Sequence, residues 1–341
     1  MPEYLAPGVY IEEVEMGGKP IEGVSTSTAG FIGETDRGPT MPRLITGLEQ
    51  FLRLYGGFLP DSYLPYAVEG FFSNGGKRCF ICRIVGKNSS PAILELPAHS
   101  DKPPVSSYSE EPGEEKPKKP SKAAASESLK ETKPGAGSPQ GNPGGNSGNA
   151  FSIKTIGPGV WGNRVAIKIG QASLSALNPK FFKLIVIYWK AASPEPVVDP
   201  TDPDKQRDPN RREPSLIEVY DNLSPETSSS DFYEKRINNI SALIEVNKIS
   251  DAVPSPTGGL KFLEGGSDGA KIESFDYKGK AGANPGERTG LSAFTEVDEI
   301  SMVCIPDENN FTGLTDEIVK HCELMKDRFA VLQARQNAGL V

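Results

Sequence analysis

The sequence predicts an α/β protein in which a discontinuous α/β core domain is interrupted by a β-rich insertion domain and preceded by an extended N-terminal strand arm. Three observations carry this reading. Between residues 23 and 97, apolar patterns of strand period and helix period alternate, as expected for helices layered on a sheet. The apolar run Ile300-Ser301-Met302-Val303-Cys304-Ile305 needs cover on both faces, as a strand of a parallel sheet does. Between residues 150 and 261 a two-residue period dominates instead. The boundaries that follow are 1–22 for the arm, 23–97 plus 262–341 for the core, 98–149 for a low-complexity insert and 150–261 for the β-rich unit.

The arm opens with Pro7-Gly8, a turn, followed by Val9, Tyr10, Ile11, Glu12, Glu13 and Val14, which alternate as a strand with no partner nearby in sequence. Gly17, Gly18 and Pro20 then supply a hinge. Residues 28–33 read as a buried strand, and Thr46-Gly47-Leu48-Glu49 as a capping box that opens a helix. Leu48, Phe51, Leu52 and Tyr55 share one face of that helix, and Gly56-Gly57 ends it. A second helix carries Tyr63, Tyr66, Ala67, Phe71 and Phe72, stops at Gly75-Gly76 and feeds a strand over 78–85.

From Asp101 to Gly148, Pro, Gly, Ser, Lys and Glu dominate. Such a stretch cannot bury enough apolar surface to offset chain entropy and should be disordered. Strands are expected at 151–156, 164–169, 181–189 and 215–220, the last after a charged, proline-rich loop. A helix near 230–238 and a strand near 243–247 close the β-rich unit. The core resumes with the 300–305 strand, a helix over 316–326 capped by Thr315, and a strand over 329–332.

Composition narrows the function classes. The chain has 45 acidic against 37 basic residues, a net charge of -8, which argues against a nucleic-acid binder held by phosphate contacts. No run approaches the ~20 apolar residues of a membrane helix, and no basic-then-apolar leader opens the chain, so membrane insertion is not expected and assembly in the cytoplasm is. Cys79 and Cys82 have metal or redox spacing but lie inside an apolar strand, with no second pair and no histidine nearby, so buried thiols are the expectation.

The chemical motifs fail on context. Gly157-Pro158-Gly159-Val160-Trp161-Gly162 matches the dinucleotide fingerprint, yet a strand rather than a helix follows, which leaves a tight turn. Gly70 to Arg78 resembles a phosphate loop, but Arg78 stands where Ser or Thr would meet magnesium and the order is helix then strand. Glu264 and Asp268 would repel an anion from the glycine-rich loop 263–270, so a turn needing positive φ is expected there. With only His99 and His321, no catalytic triad can be assembled, and His321 and Cys322 sit about 100° apart around a helix. Asp307 and Glu308 occupy the usual site position of an open α/β sheet. They are the basis of an alternative reading as an α/β enzyme or nucleotide-binding protein, although a solvated loop is the expectation for a pair without a third partner. A non-contractile adhesion or capsid-like module is a further alternative. No catalytic residue, cofactor or metal is assigned.

The residues that decide between these readings are the opening PGVYIEEV and Pro20 to Gly33, followed by FLRLYGG at 51–57 and AVEGFFSNGG at 67–76. They continue in PGVWGN at 158–163, LEGGSDG at 263–269, Ile305-Pro306 and Asp327-Arg328-Phe329-Ala330. In order and spacing these resemble contractile tail sheath proteins, the family of phage tail sheaths and the sheaths of R-type bacteriocins and contractile injection systems. The resemblance implies a structural subunit, not an enzyme, that polymerises helically in hexameric rings around an inner tube protein and contracts when a baseplate triggers it. It implies contacts with baseplate and tail terminator proteins, with no nucleic acid, and a place in a phage tail or a released phage tail-like particle. It also implies that the strand at Val9 to Val14 is donated to neighbouring subunits. Some 14 arm residues reach about 45 Å when extended, and six ladder hydrogen bonds at a net ~1 kcal/mol each would make a strong link. Family members continue past the DRFA strand into a region with a Tyr-Tyr-Pro-Trp-like motif that touches the tube. These 341 residues do not include it, and the tube-facing residues are therefore unassigned.

Overall fold

A computed structural model of the chain describes residues 28–99, 148–191, 196–282, 284 and 286–335. The expected arm strand, its hinge and most of the low-complexity insert lie outside the described residues. Strand β1 (Thr28–Gly33) is buried at every position. Its small and apolar residues alternate between two cores, with Ala29 and Phe31 on one face and Ile32 on the other. A short strand β2 (Arg43–Ile45) precedes helix α1 (Leu48–Tyr55). The expected capping box does not form: Gly47 is the N-cap, and Gln50 Oε1 reaches back to the backbone N–H of Thr46 at 2.9 Å. Gly56, at φ 88°, ends α1 as the sequence suggests. Helix α2 (Leu64–Ser73) follows, then β3 (Arg78–Arg83).

The chain next contributes β4 (Ile93–Pro97) and, beyond the insert, β5 (Asn149–Thr155), β6 (Val165–Gln171), β7 (Phe182–Tyr188) and β8 (Leu216–Leu223). A short helix α3 (Tyr233–Ile237), β9 (Ile244–Lys248) and β10 (Lys261–Phe262) complete this part. Helices α4 (Ser274–Lys278) and α5 (Gly290–Ala293) lead to β11 (Met302–Cys304), α6 (Leu314–Met325) and β12 (Phe329–Val331). Thr315 lies inside α6 rather than at its cap, which is Gly313 in the left-handed conformation.

Strands β12-β11-β1-β3-β2 form one sheet, parallel throughout except for β2. Helices α1 and α2 pack Phe51, Tyr55, Leu64 and Val68 on one face. Tyr277, Leu291, Phe294 and Ile318 from α4, α5, the turn after it and α6 cover the other. The double cover expected for the 300–305 run is therefore present. Gly30 exists because Phe294 crosses β1 so closely that a Cβ would lie 2.6 Å from its ring.

The other two sheets, β10-β6-β7-β8 and β4-β5-β9, enclose a second core built on Phe151, Trp161, Leu184, Val186 and Tyr233. Residues 93–97 were expected with the α/β core, but β4 pairs antiparallel with β5 and belongs to this second core. The charged, proline-rich loop after β7 is less free than its composition suggests. Val198 is buried there, and the buried Asp199 accepts from Lys168 Nζ at 2.7 Å.

Candidate functional site

The C-terminal end of the parallel sheet is where an open α/β fold usually places a site. Asp307 and Glu308 follow β11 there, and they are 3% and 1% exposed, not the solvated loop expected from sequence. The reason is that other elements use them. Asp307 accepts from the Tyr63 N–H at 2.9 Å and from Ser62 Oγ at 3.1 Å, so it caps the start of α2 from a distant part of the chain. Burial pushes its carboxyl up, and burial with repulsion from Asp307 and Asp61 does the same to Glu34. Glu308 Oε1 accepts the backbone N–H of Gln333, while Asn309 Nδ2 donates to the carbonyls of Gln333 and Ala334 at 3.1 and 3.3 Å. Together they clamp the chain just after β12.

These carboxylates thus serve the backbone N–H groups of Tyr63 and Gln333 and the Ser62 hydroxyl, while Glu308 Oε2 is buried without a hydrogen-bond partner. Among the described residues, no group of three His, Cys, Asp or Glu side chains is placed to hold a metal ion. His321 is buried in α6, next to a half-buried Cys322 whose thiol burial pushes up. Cys79 and Cys82 face opposite cores, and burial raises both thiols to about 12.

Two of the sequence motifs meet in one joint. Asn163 Nδ2 donates to Gly266 O at 2.9 Å, and Asn163 Oδ1 accepts from Gly266 N at 2.8 Å. Asp268 Oδ1 accepts from Val160 N at 3.0 Å, and Ser90 and Ser267 bond backbone to backbone. The GxGxxG stretch becomes a 3-10 turn over Val160–Arg164 leading into β6, and Gly265 and Gly269 hold φ of 84° and 73°. The glycines of these motifs thus serve close backbone packing and turns.

Two arginines fasten the two cores together, and neither was legible as a site residue. Arg83, at the end of β3, is 6% exposed and donates to the carbonyls of Thr35, Gly38 and Pro158. Burial lowers its pKa to about 10. Arg37 donates to Leu52 O and Arg53 O at the end of α1, and its guanidinium lies 4.9 Å from the centre of the Tyr188 ring. Their only sequence signal is a charged residue inside or beside an apolar strand.

The third feature is an edge. Arg328 is buried and donates to Phe294 O and Val297 O, which pins β12 beside β11. The Phe329 N–H bonds Ser301 O, so by strand alternation the Ala330 N–H and C=O point away from β11. Among the described residues no strand pairs with that side. Phe329, Val331 and Leu332 remain exposed along it, without a charged side chain between them. The expected donor residues Val9 to Val14, and the hinge Gly17, Gly18 and Pro20, lie outside the described residues, so their partner strand is not seen.

No family model and no curated protein matches the chain. Among solved structures it is similar to the sheath tail protein Lin1278 from Listeria innocua, at 10% identity and a TM-score of 0.43, over 89% of this chain and 45% of that one. It is also similar to the sheath tail protein DSY3957 from Desulfitobacterium hafniense, at 10% identity and a TM-score of 0.38, over 94% of this chain and 50% of that one. The chain spans about half the length of these two proteins.

Proposed function

We propose that the chain is a structural subunit of a contractile tail sheath, a helical array of identical copies around an inner tube whose shortening drives the tube outward. The observation that carries this reading is the bare apolar edge of β12 in a chain whose first residues read as a strand without a local partner. A sheet edge of this kind is a template for strand addition, and an isolated protein normally blunts it with charge or cover. An arm strand that leaves one subunit and adds to a neighbour's sheet links the two while leaving the rigid bodies free to slide and rotate. The order of the sheath-like motifs along the chain supports the same reading. So does the use of those motifs for backbone packing and fixed turns, because a sheath subunit must survive a large rearrangement of its contacts with its own fold unchanged.

Electron microscopy of the purified full chain, beside a version lacking residues 1–18, tests the proposal. Hollow helical tubes that depend on the arm are the expected result. Tubes that form equally well without the arm would remove strand donation from the proposal. Monomers in both samples, even with an inner tube protein added, would refute the sheath reading itself.

A further inference from the structure

A cleft of about 210 Å³ lies between α1 and β2 of the α/β core and the turn after α3 in the β-rich unit. Its walls are largely apolar, with Leu44 and Leu54 from the core and Ile156 and Ile240 from the β-rich unit, and two arginines stand in it. Arg43, in the edge strand β2, is half-buried and donates from Nη2 to Asn239 Oδ1 at 2.9 Å. That oxygen is neutral, and among the described residues Arg43 has no carboxylate within ion-pair reach. The Arg53 side chain is 57% exposed, and its Nη2 lies 3.4 Å from Glu218 Oε1.

The acidic groups around the cleft are already answered. Glu218 is buried and accepts from Ser241 Oγ, the Ala242 N–H and the Tyr220 hydroxyl, so its charge is met without Arg53. Glu245, which also lines the cleft, pairs with Lys154 Nζ at 3.1 Å. Arg43, Arg53 and Lys154 thus face Glu218 and Glu245, and one positive charge is left over. A guanidinium carries five N–H donors in a planar fork that matches a carboxylate, and Arg43 uses one of them on a described group. In a partly enclosed cleft such a charge attracts an anion more strongly than it would in open water. The apolar walls favour an anion carried on a short aliphatic stem over a bare inorganic one.

We propose that this cleft is a binding site for a carboxylate on a short aliphatic stem, gripped by Arg43 and Arg53 with the stem against Leu44, Leu54 and Ile156. A free small dicarboxylate and an acidic side chain of a second copy offer the same chemistry. The chain's 45 acidic against 37 basic residues make a second copy rich in such groups. The proposal does not depend on the sheath reading.

Titration of the full chain with glutarate, followed by NMR of the arginine side-chain N–H signals at constant ionic strength, provides the test. Saturable shifts at millimolar glutarate are expected, as suits so small a ligand. Arg43→Gln and Arg53→Gln should each weaken binding about tenfold, the loss of a charged hydrogen bond. Arg53→Gln removes no core, because the side chain is largely exposed and Glu218 keeps its other three donors, so this variant reports on the site even if Arg43→Gln folds poorly. Sedimentation at rising protein concentration identifies the source of the carboxylate. Self-association that glutarate and both variants suppress assigns it to a second copy, whereas saturable binding without any effect on association assigns it to a free small molecule; both outcomes support the site. Shifts no larger than those caused by chloride, or equal glutarate affinity in wild type and both variants, would overturn it.

Discussion

Lowering the pH should destabilise the core around α6 through His321. The side chain is 7% exposed, its Nε2 is buried without a hydrogen-bond partner, and its neighbours include the cationic Arg328. Burial first, and Arg328 second, pull its pKa from 6.5 to about 4, against a smaller opposing pull from Asp327. The fold therefore prefers the neutral ring. Its contribution is fully present above pH 6.5, falls as pH drops from there towards 4, and levels off below. At about 1.4 kcal/mol per pH unit over this window, the loss comes to about 3 kcal/mol. Urea unfolding followed by far-UV circular dichroism, at pH 7.5 and 4.5, measures it as the difference between the wild type and His321→Leu, because the titrating carboxylates are common to both. Tryptophan fluorescence is the wrong probe, since Trp161 and Trp189 lie on the other core and its outer face. If the stability gap between wild type and variant changes by less than 0.5 kcal/mol (about a third of that expected per pH unit), His321 titrates normally and the reasoning fails.

Arg83→Met should cost about 2–4 kcal/mol by leaving three buried carbonyls short of a donor. Arg83→Lys should recover little of this, because an ammonium cannot reproduce the guanidinium's fork; thermal melts of both variants decide. Gly279→Ala combines φ 74° with a Cβ 1.7 Å from Thr289 O, so a loss above about 3 kcal/mol is expected, measured by chemical denaturation. Val331→Lys should leave the stability of the single chain within about 0.5 kcal/mol, because the position is exposed, yet suppress any assembly that uses the β12 edge. Light scattering at rising protein concentration separates the two effects.

Much of the fold can be read from periodicity because long apolar patterns have one burial solution. The helix ending at Gly56 and the central strand Thr28–Gly33 are examples. What could not be read depends on distant partners. Strand β2 is three residues long and carries too little pattern, and β4 ends in a proline next to low-complexity sequence, so its pairing with β5 across the insert leaves no local trace. The capping of α2 by Asp307 joins residues 244 positions apart. Arg83 and Arg37 spend their charge on carbonyls, whose positions only the folded backbone defines. Of the candidate site, the sequence offered an arm strand without a local partner, whereas the open edge became visible only once β12 was known to lie outermost among the described strands of its sheet.

The pairing of β4 with β5 also separates two demands that usually compete. Pro97 stands opposite Asn149, and the Ala98 N–H bonds Gly148 O at 3.0 Å, so the two ends of the intervening segment are tied at a fixed stem. Closing a loop on such a stem costs only about 0.6 kcal/mol more for each doubling of its length. The segment's length and content can therefore drift, or be replaced by a foreign peptide, while the register of β4 against β5 stays the same. In the repeating assembly proposed above, one change in this segment would be multiplied by the number of copies.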